Sequence, residues 1–302
     1  MLPLTLQRAV LASARGLDPG ALLADLFVSY PPDDFGLDPP VAKWSFFVVA
    51  QTVLRYFRTT VLDAENIPPG RSVVVSTHSG VLPWDATCLV VSIYRHTGRF
   101  SRNAGHELWG RVPLLARYLA RGGVVLGPAP DLEELLRRGE IVVIFPGGTE
   151  DMRRRIWQRY QVKPNKGFAP GRGGYIKVAL RTGSPIVPAA IVGAEEVHML
   201  LAEIPPLARL VGLPYCPIVV SPFPLPARIY VRFGEPIHLD APPEAAEDQA
   251  LVDRLNEEVR ATLQDLLDDT RRHRRGIYCG TYDGDRPPFR PARRRPARRS
   301  HR

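Results

Sequence analysis

Cysteine is scarce in this 302-residue chain, and the three present (Cys88, Cys216, Cys279) are odd in number, far apart and never in a CxxC pair. That pattern argues against a disulfide framework and a zinc site, and makes a reducing compartment the expectation. Neither HExxH nor a tight His/Cys cluster occurs, and His106-Glu107 stands alone, so no metal is expected. The GxSxG elbow of standard α/β-hydrolases is missing. So is GxxxxGK[ST], and Gly171-Arg172-Gly173-Gly174 fails the dinucleotide fingerprint. Only four of the forty basic residues are Lys (Lys43, Lys163, Lys166, Lys177), which with abundant Ala and Pro fits GC-rich, bacterial coding and says nothing of activity. The start, MLPLTLQRAVLASARG, lacks the apolar core and cleavage site of a signal peptide. The longest apolar stretch near the start, Trp44–Leu54, falls short of the ~20 residues that span a bilayer. Mean hydropathy is slightly negative, which argues against a polytopic membrane protein.

What is present is 45% hydrophobic and 24% charged, ordinary for a soluble or peripheral globular protein. The net charge of +9 is concentrated: residues 286–302 (RPPFRPARRRPARRSHR) hold eight Arg and no acid, so the rest is nearly neutral. Trp44, Phe47, Val48, Gln51, Leu54 and Arg55 lie at helical spacing between cations, which suits either a membrane headgroup boundary or a helix packed on a core. Tyr30–Pro40, dense in Pro, reads as a linker. Beyond it, Ser72–Ser76, Ile141–Phe145, Ile186–Val192 and Arg228–Phe233 read as strands, and Gly123–Leu126 is a short apolar run. Ala86–Tyr94, Asp131–Arg138, Tyr175–Arg181 and Asp248–Asp268 read as helices. The alternation predicts one α/β domain over about 60–270 with a largely buried mixed sheet flanked by helices. An N-terminal helical arm (1–59) precedes it, and a disordered basic tail (271–302) follows. No internal repeat is visible.

Three segments carry chemistry-bearing residues. Thr77-His78-Ser79-Gly80-Val81-Leu82-Pro83-Trp84-Asp85 sits where a strand ends and a helix begins, the place where α/β sheets open onto a ligand crevice. A histidine there can take a proton from a hydroxyl, and a carboxylate would hold its tautomer. The alternative makes Asp85 a helix N-cap and His78 a loop residue. Phe145-Pro146-Gly147-Gly148-Thr149-Glu150-Asp151 follows a second strand, and its paired glycines would let backbone N–H groups approach a ligand; taken in isolation, the segment is better read as a tight turn. Lys166-Gly167-Phe168 with Gly171-Arg172-Gly173-Gly174-Tyr175 offers flexible glycines and a guanidinium for a phosphate.

The order of these pieces is more specific than any one. A strand ending in His78…Asp85, a Gly-rich strand at Arg121–Pro128, then Pro146-Gly147-Gly148-Thr149-Glu150 and Ile186-Val187-Pro188 resembles the glycerolipid acyltransferase superfamily. Glu65-Asn66-Ile67-Pro68 and Phe233-Gly234-Glu235-Pro236-Ile237 extend the match over about residues 40–268. The resemblance implies that His78 is the general base on an acceptor hydroxyl, supported by Asp85, with direct attack on an acyl thioester and no acyl-enzyme. N–H groups of the Pro146–Thr149 turn are its candidates for the oxyanion. The substrate-binding candidates are Arg102, Pro146, Gly147, Gly148, Thr149, Glu150, Arg172, Ile186, Val187 and Pro188. This chain departs from the family in three ways. The spacing is H-x6-D rather than H-x4-D. No Arg stands just after the Gly-rich strand. Pro-Gly-Gly-Thr-Glu replaces Pro-Glu-Gly-Thr-Arg, which is more like branches that acylate diacylglycerol or long-chain alcohols.

The resulting expectation is a membrane-peripheral O-acyltransferase at the cytoplasmic face. It would move a fatty acyl group from acyl-CoA or acyl carrier protein to a lysophosphatidate-type acceptor or a neutral lipid, with no cofactor beyond the donor. Arg153, Arg154 and Arg155, with Arg102 and Arg172, are the charges available to an acceptor phosphate. The Trp44–Arg58 segment and the basic tail are the expected membrane attachments. A non-catalytic lipid-binding protein and an acyl thioesterase are the alternatives. The tail carries no aromatic interleaving or recognition motif, which argues against nucleic acid as a partner.

Overall fold

The computed structural model describes residues 32–105, 113–211 and 215–278. Residues 1–31 of the expected arm, His106-Glu107 and residues 279–302 of the tail lie outside them.

Asp38 begins the first helix, α1 (Pro39–Val49): its carboxylate accepts the Val41 N–H, and Pro39 supplies a preset φ. The helix widens into a single π turn over Ala50–Leu54. The segment packs on the core along one side only. Phe46, Ala50, Leu54 and Phe57 are buried in the core, while Trp44, Val48 and Tyr56 face outward.

Strand β1 (Thr60–Leu62) and β2 (Ser72–Ser76) lead into α2 (Trp84–Thr97), which Gly98 ends in a left-handed conformation. Next come β3 (Ser101–Ala104), α3 (Pro113–Arg121), β4 (Val124–Val125), α4 (Ala129–Arg137) and β5 (Ile141–Ile144). A one-turn helix α5 (Gly148–Met152) and α6 (Gly174–Thr182) precede β6 (Ile186–Val192). After it come β7 (Leu200–Glu203), α7 (Pro205–Val211), β8 (Pro217–Val219), β9 (Tyr230–Phe233) and the long α8 (Gln249–His273).

Seven strands form one mixed sheet in the order β1-β9-β6-β2-β5-β3-β4, and β7 and β8 form a separate antiparallel ribbon. From β6 to β4 all neighbours are parallel; β9 runs antiparallel to β6, and β1 parallel to β9. Helices cover both faces, which is why the central strands read as unbroken apolar runs. Along β2, Val74 joins the core shared with α1 and α2, while Val73 and Val75 join the core shared with α4, α6 and α8. This is the period-two alternation of a strand, with both sides buried.

The tail begins later than the sequence suggests. Helix α8 continues to His273, Arg274 pairs with the buried Glu196 at 3.0 Å, and Ile277 and Tyr278 pack on the core. Residues 271–278 therefore belong to the packed body, because their basic and apolar side chains find partners there.

Candidate active site

The parallel strands place their carboxyl ends side by side, and a groove of about 440 Å³ opens there. Its walls come from the segments after β2 (His78) and β5 (Phe145, Gly148, Thr149) and from the end of β3 (Asn103, Ala104), closed by Leu115 and Leu119 of α3. Apart from His78, no titratable side chain is among its described lining residues. A cavity of similar size, about 460 Å³, lies between Ile237–Ala241 and α8, away from His78.

His78 follows β2 by two residues, and Asp85 sits in the first turn of α2. The loop between them turns back through Gly80, at φ +80°, where an added Cβ would meet the Ala194 carbonyl oxygen at 3.0 Å. The ring Nδ1 thereby stands 2.9 Å from Asp85 Oδ2, and the same oxygen accepts the Ser79 N–H at 2.7 Å. Asp85 is fully buried, and the helix N-terminus favours its negative charge. Asp85 is thus not the N-cap, which is Pro83. The Ser79 hydroxyl is buried away from solvent, so that residue contributes its backbone. The His78 ring stacks on Phe145, with centroids 3.9 Å apart and planes at 9°.

Behind the ring lies a network of ionisable groups that the sequence alone does not assemble. Arg154, itself buried, donates from Nη1 to the His78 carbonyl at 3.0 Å and to Glu195 Oε1 at 2.8 Å, and its Nη2 stands 2.6 Å from Asp151 Oδ1. Glu195 Oε2 accepts the Tyr160 N–H at 2.9 Å. Burial raises the Asp151 carboxyl, opposed by Arg154 and His78, and pushes the Glu195 carboxyl up to about 7, opposed by Arg154. The signal in sequence was the acid–base run Glu150–Arg155 directly after a strand, whose partners could not be assigned without the fold.

The remaining sequence candidates separate sharply. Gly148 and Thr149 line the groove. Gly147 packs against the Asp151 carboxylate, which an added Cβ would meet at 2.0–2.2 Å. The Pro146 carbonyl accepts the Gly167 N–H at 2.9 Å. Glu150 pairs with Arg153 at 3.3 Å. Five assignments need correction. Arg102 is fully buried, with Nε 2.6 Å from Glu140 Oε2 and Nη2 on Asp33, so its charge is spent inside the fold. Arg172 is exposed, and its carbonyl accepts Gln249 Nε2 of α8 at 3.3 Å; its loop docks on that helix and does not reach the groove. Ile186, Val187 and Pro188 are buried in the central strand β6, between β2 and β9, and act as core. Of the other arginines, Arg153 forks onto Glu203 at 2.7 and 3.0 Å, and Arg155 lies over Trp157.

Known proteins resemble this chain in sequence and in fold. A family model described as Acyltransferase matches residues 58–192, from the end of the first helical segment through β6. An uncharacterized protein of Mycobacterium tuberculosis is 34% identical over 278 residues, covering 86% of this chain and 75% of that protein. The chloroplastic phytyl ester synthase 2 of Arabidopsis thaliana is 21% identical over 244 residues, covering 70% of this chain but 34% of its own length. The crystal structure of the 1-acyl-sn-glycerophosphate acyltransferase PlsC from Thermotoga maritima shares the fold, with a TM-score of 0.50 at 15% identity, over 88% of this chain and 94% of that one.

Proposed function

The chain belongs to the acyltransferase family, and on that premise we propose that it esterifies a neutral, hydroxyl-bearing lipid at a membrane surface, with His78 as general base. The observation that carries this reading is the His78–Asp85 pair at 2.9 Å at the mouth of an apolar groove. With Nδ1 turned to Asp85, Nε2 takes the proton of the acceptor hydroxyl. The oxygen attacks the thioester carbonyl of acyl-CoA or acyl carrier protein, the C–S bond breaks, and the imidazolium returns its proton to the leaving thiolate. Asp85 holds the tautomer and stabilises the imidazolium without itself being protonated. The Gly148 N–H is engaged by the Phe145 carbonyl at 3.0 Å, so we assign the oxyanion to Thr149 on the groove wall.

The choice of a neutral acceptor rests on charge. Among the described residues lining the groove there is no Lys or Arg, and Arg102, Arg153 and Arg154 are each engaged by carboxylates. A phosphate entering such a site would lose its hydration with no cation in return. The phytyl ester synthase among the relatives, named for an ester of a long-chain alcohol, is consistent with this. Attachment to the membrane is proposed through the outward face of α1, where Trp44 and Val48 are exposed. Among the described residues no helix is long and apolar enough to cross a bilayer.

The test supplies labelled acyl-CoA with diacylglycerol, a long-chain alcohol or lysophosphatidate, and identifies products by mass spectrometry. The expected result is an ester of diacylglycerol or the alcohol, lost ~10²–10⁴-fold in His78→Ala with thermal stability retained. Preference for lysophosphatidate would overturn the neutral acceptor. Full activity of His78→Ala would overturn the mechanism.

A further inference from the structure

At the carboxyl end of the sheet the groove is walled by α3, whose Leu115 and Leu119 face it. Outside the groove's own lining, the β7–β8 ribbon with α7 forms a neighbouring bank, joined to the groove's segments at several points. Tyr215 Oη donates to the Val81 carbonyl at 3.1 Å, within the His78–Asp85 loop. Arg153, directly after the groove-lining α5, forks onto Glu203 of β7, and Arg155 bridges to Leu200. Leu82, 45% exposed, stands beside the groove-lining Pro83.

The ribbon bank is unusually apolar. Residues 199–223 (MLLAEIPPLARLVGLPYCPIVVSPF) contain one acid, Glu203, and one base, Arg209. The acid is neutralised by Arg153, and Arg209 is exposed. Ile218 of β8 and Val220 just after it are exposed, as are Leu201, Ile204, Leu207 and Phe223, the last at 76%. Soluble surfaces seldom leave that much apolar area uncovered. At the edge of the ribbon Trp157 is 63% exposed with the Arg155 guanidinium 5.5 Å from its ring centre. An aromatic ring with a polar edge beside a cation suits a headgroup layer, and Arg155 and Arg209 give the bank a positive sign matching anionic lipid.

We propose that the β7–β8 ribbon and α7 form a bilayer-docking surface that seats the mouth of the groove on anionic lipid, so that an embedded acceptor reaches His78 sideways from the membrane. The proposal rests on the reading of the chain as a lipid acyltransferase, and it gives the ribbon a task separate from that of α1. Ile218 and Val220 enter the hydrocarbon boundary, the Trp157–Arg155 pair lies among the headgroups, and Leu82 marks where the acceptor leaves the bilayer.

Flotation of the full chain with phosphatidylcholine vesicles, with and without phosphatidylglycerol, tests this. The variants are Ile218→Asp/Val220→Asp and, separately, Leu207→Asp, with His78→Ala as control. The expected result is stronger binding to the anionic vesicles and a roughly tenfold loss in both charged variants, which place charge on the inserted face. His78→Ala should bind normally. The charged variants should keep their melting temperature and their turnover of a short-chain, water-dispersed alcohol while losing turnover of a vesicle-embedded one. Unchanged vesicle binding in both variants overturns the proposal. If sedimentation then shows a dimer that the variants split, the face belongs to a second copy; if the melting temperature falls instead, it belongs to the chain's own packing. Wild-type protein that forms no ester in either presentation, yet floats in the expected pattern, sinks the acyl-transfer reading and leaves the docking surface standing.

Discussion

Two glycine-rich turns lie against each other in this molecule, joined where the Gly167 N–H meets the Pro146 carbonyl, and they do different work. The Pro146–Thr149 turn follows a buried parallel strand and faces the groove, backed by charges: Asp151, Arg154 and Glu195, converging on the His78 backbone. The Lys166–Gly174 loop precedes a helix and is backed by a neutral amide. Asn256 of α8 donates to the Gly167 carbonyl at 3.1 Å and accepts from Tyr175 Oη at 2.7 Å, while Asp253 accepts the Gly171 N–H. Glycine content alone does not separate a ligand turn from a docking turn. Position relative to the carboxyl end of the sheet does.

The contrast can be broken most severely at the groove. Asp85→Asn keeps the shape of the side chain but removes the charge that holds the His78 tautomer, so the initial rate should fall ~10³–10⁴-fold with little change in melting temperature. A retained rate would mean that the 2.9 Å pair is not the working one. Next in size is a pair of alanines. Gly147→Ala puts a methyl into the Asp151 carboxylate and should lower the rate ~10²-fold by displacing the support of His78. Gly171→Ala, at φ +73° with open space around it, should cost about 1 kcal/mol of stability and no rate. Equal effects on rate would erase the distinction between the turns.

Asn256→Ala tests the other anchor. It strands the Gly167 carbonyl and the Tyr175 hydroxyl, for a loss of ~1–3 kcal/mol in denaturant unfolding with turnover unchanged below the transition. A subtler difference is pH dependence, since the groove turn is backed by a buried carboxyl, that of Glu195. The native Glu195 carboxyl titrates near 7 instead of 4.5, so the folded state holds that proton longer than the unfolded chain. The stability this contributes is present below about pH 4.5 and lost as pH rises through about 7. Melting curves of Glu195→Gln should lack that decline, and parallel curves for wild type and variant would refute it. Smallest of all, Arg172→Ala should leave rate and stability within ~0.5 kcal/mol, as expected of an exposed side chain on the docking loop.

What could be read in advance follows from how local each signal is. Ser72–Ser76, Ile141–Phe145 and Ile186–Val192 declared themselves because strands buried on both faces need unbroken apolar runs, and α8 because its stripe persists over many turns. His78 and Asp85 stood out because a strand end and a helix start bracket them. Strand β3 did not: Ser101-Arg102-Asn103-Ala104 reads as a loop until Glu140 and Asp33, 38 and 69 positions away, neutralise its buried guanidinium. Strand β1, half-buried at the sheet edge, offered only three residues, too few for a strand pattern to show. Arg154 was counted as spare charge for the same reason that Arg102 was. An arginine's partners are set by the fold, and a string of residues does not name them.

The ring and its carboxylate are fixed from opposite ends, one just after β2 and the other by the first turn of α2, so the stretch between them is chiefly a tether, bonded to the carboxylate through the Ser79 N–H. A tether can lengthen or shorten in descent while its two endpoints keep their distance. A chain can therefore drift out of a fixed-interval signature while keeping its ring and carboxylate together, and surveys that count the residues separating a histidine from an aspartate will pass over such pairs. A signature anchored on the end of a buried strand and the opening of the following helix would retain them.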